Sequence, residues 1–126
     1  MPEKIRLVTA GLVLNAELND TPSARKLLAK LPLEIPMTRW GEEYYGNAGL
    51  VVEAEPGART EMEVGELAVW PDGNAFCIFF GPTPVSRGTE PRAYSNVNPV
   101  GRVLWNVEGL AELGGTIRMR LERLPD

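Results

Sequence analysis

Both ends of this chain alternate, and that regularity constrains the fold more than anything between them. Ile5 and Leu7 alternate with Lys4 and Arg6, and Leu12, Leu14, Ala16 and Leu18 alternate with Val13, Asn15 and Glu17. At the far end Ile117, Met119 and Leu121 alternate with Arg118, Arg120 and Glu122. Successive side chains of a strand point to opposite faces, so a period of two marks strands with one buried face. Ala10-Gly11 between the first two runs predicts an opening hairpin. Terminal strands of equal regularity predict that they pair and shut a sheet into a cylinder.

The middle of the chain is punctuated. With 13 Gly and 11 Pro among 126 residues, about one residue in five forms turns, which favours many short elements. Thr21-Pro22 opens one helix, a hydroxyl cap followed by proline at the first helical position. Its apolar stripe is Ala24, Leu27, Leu28 and Leu31, and Pro32 stops it. Leu33 to Trp40 reads as extended, with Pro36 at an edge or bend. Residues 54–60, with Pro56-Gly57, read as a loop. Leu67–Trp70 and Ala75–Phe80 read as strands joined at Pro71-Asp72-Gly73-Asn74. The second of these is apolar on both faces, as a covered central strand would be. Residues 81–99, rich in Pro, Ser, Gly and Asn, predict a long loop. Val100 to Val107 predicts another strand, and Asn106 to Leu113 a short helix closed by Gly114-Gly115. No linker or repeat interrupts residues 1–126, which predicts a single domain.

Several function classes drop out. The net charge is −4 and no basic run exists to neutralise phosphates, so nucleic acid is not an expected partner. No apolar run approaches the roughly 20 residues of a membrane span. The lone Cys77 cannot form an internal disulfide. The first residues show no signal-peptide pattern, and a cytoplasmic location is expected. Histidine is absent, which removes Ser-His-Asp and Cys-His catalysis and makes a zinc site unexpected. Neither a phosphate-binding loop nor a dinucleotide fingerprint is present. No catalytic residue, metal ligand or cofactor is therefore assigned.

Four motifs in order cover most of the chain. They are Trp40-Gly41-Glu42-Glu43-Tyr44-Tyr45, the strand end from Gly65 to Pro71, Phe79 to Ser86, and Val97 to Arg102. Together they resemble the small cyclophilin-like family of prokaryotic proteins. Asn74 to Phe80 and Val100 to Val103, followed by Glu108-Gly109-Leu110, are similar to segments of cyclophilins proper. The resemblance implies a mainly β fold: a closed cyclophilin-like β-barrel of about eight strands with two short helices. It implies little about activity, because a fold does not decide function. Cyclophilins hold their prolyl isomerase arginine in a Phe-His-Arg strand and follow it with Gln-Gly-Gly-Asp-Phe. The corresponding stretch here, Leu33 to Trp40, has neither, and Arg39 stands without the matching neighbours.

Candidate binding residues concentrate in two segments. Adjacent Glu42 and Glu43 would face opposite ways in a strand. Either one is solvated and the other bonds to backbone, or Glu42 enters a cleft beside Trp40 and Tyr45 with its pKa raised by burial. Phe79 and Phe80 cannot share a destination: one fills the barrel and the other lies under a helix or opens to a groove. Cys77, among apolar neighbours, reads as a buried, inert thiol. In the 81–99 segment Thr83 and Asn98 offer polar groups to a ligand or serve turn chemistry. Arg92 is the residue suited to a carboxylate, and Arg102 reads as structural. The expected ligand-binding set is Trp40, Glu42, Tyr45, Phe80, Thr83, Arg92 and Asn98. The expected function is a non-catalytic module binding a small molecule or short peptide. A divergent prolyl isomerase and a homodimeric interaction protein are the alternatives.

Overall fold

The computed structural model describes residues 3–124. The alternating N-terminal runs form β1 (Glu3–Thr9) and β2 (Leu12–Leu18), paired across seven residues from Glu3↔Leu18 to Thr9↔Leu12. Helix α1 (Pro22–Lys30) follows, and Thr21 Oγ1 accepts from the Ala24 amide as its cap. Its C-terminal boundary coincides with the Leu31–Pro32 peptide, which is cis. Next come β3 (Leu33–Arg39), β4 (Glu43–Asn47), the short β5 (Arg59–Glu61), β6 (Glu66–Trp70) and β7 (Ala75–Phe79). The chain ends with β8 (Arg92–Val103), a 3-10 helix at Val107–Glu112 and β9 (Thr116–Arg123).

All pairings are antiparallel, and eight strands close on themselves in the order β2-β1-β9-β3-β4-β7-β6-β8, with β8 returning to β2. The terminal strands meet as expected, with Leu7 opposite Leu121. β9 also pairs with β3 over six residues, so Pro36 lies inside a paired stretch opposite Arg118. Two expectations need correction. The segment 81–99 is not one loop, because β8 begins at Arg92, where β5 supplies partners in Glu61↔Arg92 and Arg59↔Val97. The strand expected to reach Val107 stops at Val103, and the expected short helix follows it as a 3-10 turn at Val107–Glu112.

Ring closure sorts the side chains into two cores. Ile5, Leu7, Leu14, Ile35, Met37, Tyr44, Leu67, Val69, Phe76, Ile78, Phe80 and Leu121 fill the interior. Ala24 and Leu27 of α1 join them near the end of β2, and Leu110 of the 3-10 helix joins them near its start, where Gly109 meets Leu12. The opposite faces of β6 and β7 contribute Ala68, Ala75, Cys77 and Phe79 to a second, outer core with Met62, Ala93 and Val97. Phe80 therefore points inward and stacks on Tyr44 at 5.6 Å, while Phe79 points outward. Phe79 lies beneath β5 and β8 rather than beneath a helix.

The closing seam is tight. β2 and β8 share three residue pairs, the last being Leu18↔Gly101. A Cβ on Gly101 would sit 2.0 Å from the Glu17 carbonyl oxygen and 2.9 Å from Leu18 Cα. Backbone cannot yield there without parting the strands. Gly101→Ala is expected to lower the unfolding free energy by about 2–3 kcal/mol through overpacking, read as a reduced urea midpoint with an unchanged m value.

Candidate functional site

The outer core is not fully roofed. Between the outward face of β4-β7-β6 and the first half of β8 lies a cleft of about 270 Å³. Trp40, Glu43, Tyr45, Trp70, Cys77, Ala93, Tyr94 and Val97 line it. Its geometry follows from a two-residue turn. Trp40 N–H donates to the Glu43 carbonyl at 2.8 Å across Gly41-Glu42, and Gly41 has φ +62°, a left-handed value that glycine adopts without steric penalty. Glu43 thus becomes the first residue of β4. Tyr45, two positions on, shares its face, and Tyr44 takes the interior.

Three aromatic rings form the upper part. Tyr94, 72% exposed, stands between two tryptophans, its ring centroid 6.2 Å from Trp40 and 6.3 Å from Trp70. The interplanar angles are 73° and 79°, so each indole meets the phenol nearly at a right angle. Trp70 is held by Nε1–H donating to Ser95 Oγ at 2.7 Å, and Ser95 in turn donates to Asp72 at 3.2 Å. β5 anchors the roof: Arg59 grips Glu66 of β6 through two bonds of 2.9 and 2.7 Å.

The base of the cleft holds an acid without a partner. Glu43 is only 5% exposed, and its Oε1 is the one fully buried side-chain oxygen or nitrogen without a hydrogen-bond partner among the described residues. Burial pushes its carboxyl up to about 8, with a smaller downward pull from the neighbouring Cys77 thiol. Burial also pushes the Cys77 thiol up, and the Glu43 charge adds to the effect. A protonated thiol is a poor nucleophile and a poor metal ligand. Among the described residues no group of three or more His, Cys, Asp or Glu converges as a metal site.

A family model described as Cyclophilin-like matches residues 3–122. The chain belongs to the cyclophilin-like family. It is also similar to the solution structure of a hypothetical protein from Archaeoglobus fulgidus, with 31% identity and a TM-score of 0.81. That match covers 98% of this chain and 95% of the archaeal one. No curated protein matches the chain.

Within this cyclophilin-like fold the residues singled out from sequence do not all meet. Trp40 and Tyr45 line the cleft. Glu42 does not: it sits in the turn, with its carboxylate against Gly81. The carboxyl beside Trp40 and Tyr45 is that of Glu43, which is neither solvated nor bonded to backbone through Oε1. Phe80 belongs to the interior core. Thr83 Oγ1 donates to the Arg92 carbonyl, and the Thr83 amide donates to Ser86 Oγ at 2.9 Å. Arg92 reaches Glu90 at 3.1 Å and Glu61 at 3.3 Å, so two carboxylates of its own chain already occupy its guanidinium. Arg102 pairs with Glu17 at 3.3 Å beside the closing seam. Arg39 donates to the carbonyls of Gly41, Ala111 and Leu113 and lies 5.1 Å from the Phe80 ring centre. It clamps the 3-10 segment and does not line the cleft.

Asn98 is fully buried and fully bonded. Its Nδ2 donates to Ser23 Oγ at 3.0 Å and to the Glu53 carbonyl at 2.8 Å, and its Oδ1 accepts from the Glu55 amide at 2.9 Å. Glu55 closes the circuit by accepting from the Ser23 amide at 2.9 Å, near the start of α1. Asn98→Ala is expected to lose about 1–3 kcal/mol of stability, because three bonds go and buried Ser23 loses one of its partners. Thermal and urea unfolding would register that loss.

Glu43 makes stability depend on pH with a definite sign. In the fold its carboxyl keeps a proton up to about pH 8, whereas its ordinary value is 4.5. Across that window the folded chain binds more protons than the unfolded one, so stability is full below about pH 4.5 and falls as pH rises through about 8. Glu43→Gln removes this dependence. Relative to wild type, the variant should gain up to about 1.4 kcal/mol per pH unit through the window, followed as urea midpoints over a pH series.

Proposed function

We propose that this cyclophilin-like domain is a non-catalytic binding module whose site is the cleft over Glu43. The observation that carries the reading is the unpartnered Glu43 Oε1, buried at the base of an otherwise aromatic recess. A buried polar atom without a bond destabilises a fold by about 1–3 kcal/mol. A ligand group that reaches it would remove that deficit. The volume supports a compact ligand: about 270 Å³ falls just short of the roughly 300–1,000 Å³ of ordinary small-molecule pockets. A small molecule, or one side chain of a short peptide, suits that space.

Isomerase chemistry has less support. The reaction wants a guanidinium free to reach a prolyl amide, and Arg39 is held by three backbone carbonyls outside the cleft. Arg92 is held by Glu61 and Glu90.

The test is a fragment set of cationic, neutral and anionic members, with short proline peptides included, titrated into isotopically labelled protein. Binders are expected to shift the Trp40 and Trp70 indole signals and the Tyr94 amide. Tyr94→Ala, a change at an exposed ring, should weaken them about tenfold. Shifts confined to other surfaces, or no binder from any class, would remove the cleft as a ligand site.

A further inference from the structure

The walls and the base of the cleft differ in chemistry in a way that narrows the ligand. Trp40, Tyr94 and Trp70 set successive rings nearly perpendicular to one another. The negative face of an aromatic ring attracts a cation, most strongly for tryptophan. Because each pair meets edge to face, the three rings line the recess in more than one plane, where parallel rings would present a slot. Beneath them lies a carboxyl whose Oε1 meets no donor of the protein. No lysine or arginine lines the recess, so nothing in the lining repels or replaces a positive charge. The guanidinium groups of Arg39 and Arg92 are tied to other partners.

Resting on the binding-module reading, we infer that the cleft takes an alkylated ammonium group, with Trp40, Trp70 and Tyr94 enclosing its alkyl shell and Glu43 supplying the counter-charge. A bare ammonium would need hydrogen-bond acceptors on three sides, and the lining offers mainly rings and the small apolar Ala93 and Val97. An alkylated ammonium needs no donors or acceptors around its circumference and spreads its charge over carbon. It is matched by apolar walls above a single acid. The carboxyl of the empty cleft holds its proton to about pH 8. Seating a cation beside it would release that proton, so the two events are linked and affinity climbs with pH. The other titratable groups in the lining are Cys77 of β7, Tyr45 of β4 and Tyr94 of β8. A free alkylammonium molecule and an alkylated lysine side chain present the same group.

Calorimetric and NMR titrations with choline, with dimethylbutanol (its uncharged carbon isostere) and with a trimethyllysine peptide test this. Choline is expected to shift the Trp40, Trp70 and Tyr94 signals and to bind about tenfold tighter than dimethylbutanol. Its affinity should rise by up to about tenfold per pH unit between about pH 6 and about pH 8. Glu43→Gln should abolish the pH dependence and cut the charge preference to what the three rings supply, while leaving dimethylbutanol unchanged. Tyr94→Phe should retain choline binding and Tyr94→Leu should weaken it about tenfold. Tighter binding of the peptide than of choline would name a modified side chain as the source, and the reverse a free molecule. Equal affinity for choline and dimethylbutanol would overturn the inference. So would a neutral fragment that occupies the cleft while choline does not, and that outcome would leave the binding module standing. If neither cations nor any fragment enter, both readings fall.

Discussion

Closing eight antiparallel strands into a ring sends every second side chain of each strand outward, and the chemistry of this protein begins there. A ring of this size is filled by its own inward side chains, here Tyr44, Phe76, Phe80, Leu67 and their neighbours. The outward faces of β6 and β7 are nonetheless apolar, with Ala68, Ala75, Cys77 and Phe79. Leaving that surface wet would forfeit about 25 cal/mol for each Å² exposed. Met62, just past β5, and Ala93 and Val97 of the first half of β8 cover it. The cleft is the part of that outer face that the cover fails to reach.

Glu43 stands out against this background because every other deeply buried polar side chain named above is satisfied. Asn98 makes three bonds, and Thr9 donates to the Arg118 carbonyl at 2.8 Å. Where one acid is left without a partner in a well-bonded structure, stability has been forgone at that position, and such positions concentrate at functional sites. The neighbouring thiol gives no relief at Oε1. A leucine at position 43 would leave no unpartnered polar atom there, which is why the proposed site is centred on this acid.

The sequence made the scaffold legible where periodicity carried the signal. Alternation at both termini gave the β1–β9 pairing, Thr21-Pro22 gave the cap of α1, and the doubly apolar 75–80 run gave a strand between two cores. The site was harder, because single-residue register decides it. Whether Glu42 or Glu43 enters the cleft depends on the turn at Gly41 occupying two residues, and a slip of one would exchange their faces. Period-2 reasoning from Tyr45 back to Glu43 was available once that turn was placed. The engagement of Arg92 and Asn98 was not legible at all. Apart from Glu90, two residues from Arg92, their partners Glu61, Ser23 and Glu53 lie 31, 75 and 45 residues away, and no local pattern announces them. The start of β8 was hidden for a related reason: its partner strand β5 is three residues long and carries no periodic signal of its own.

β8 performs two tasks with one continuous backbone. Its last residues, Gly101 to Val103, shut the ring against β2, and its first residues, Arg92 to Val97, roof the cleft while bonded to β5. Ser95 also ties the roof to Trp70. A covering built this way has no hinge of its own, since lifting it would tear the ladder that seals the barrel. Of the rings that line the cleft, the phenol of Tyr94 is the most exposed. Exposed side chains change rotamer in picoseconds to nanoseconds, whereas loops and domains take microseconds or longer. The fastest motion open to this recess is therefore the rotation of a ring and not the lifting of a strand.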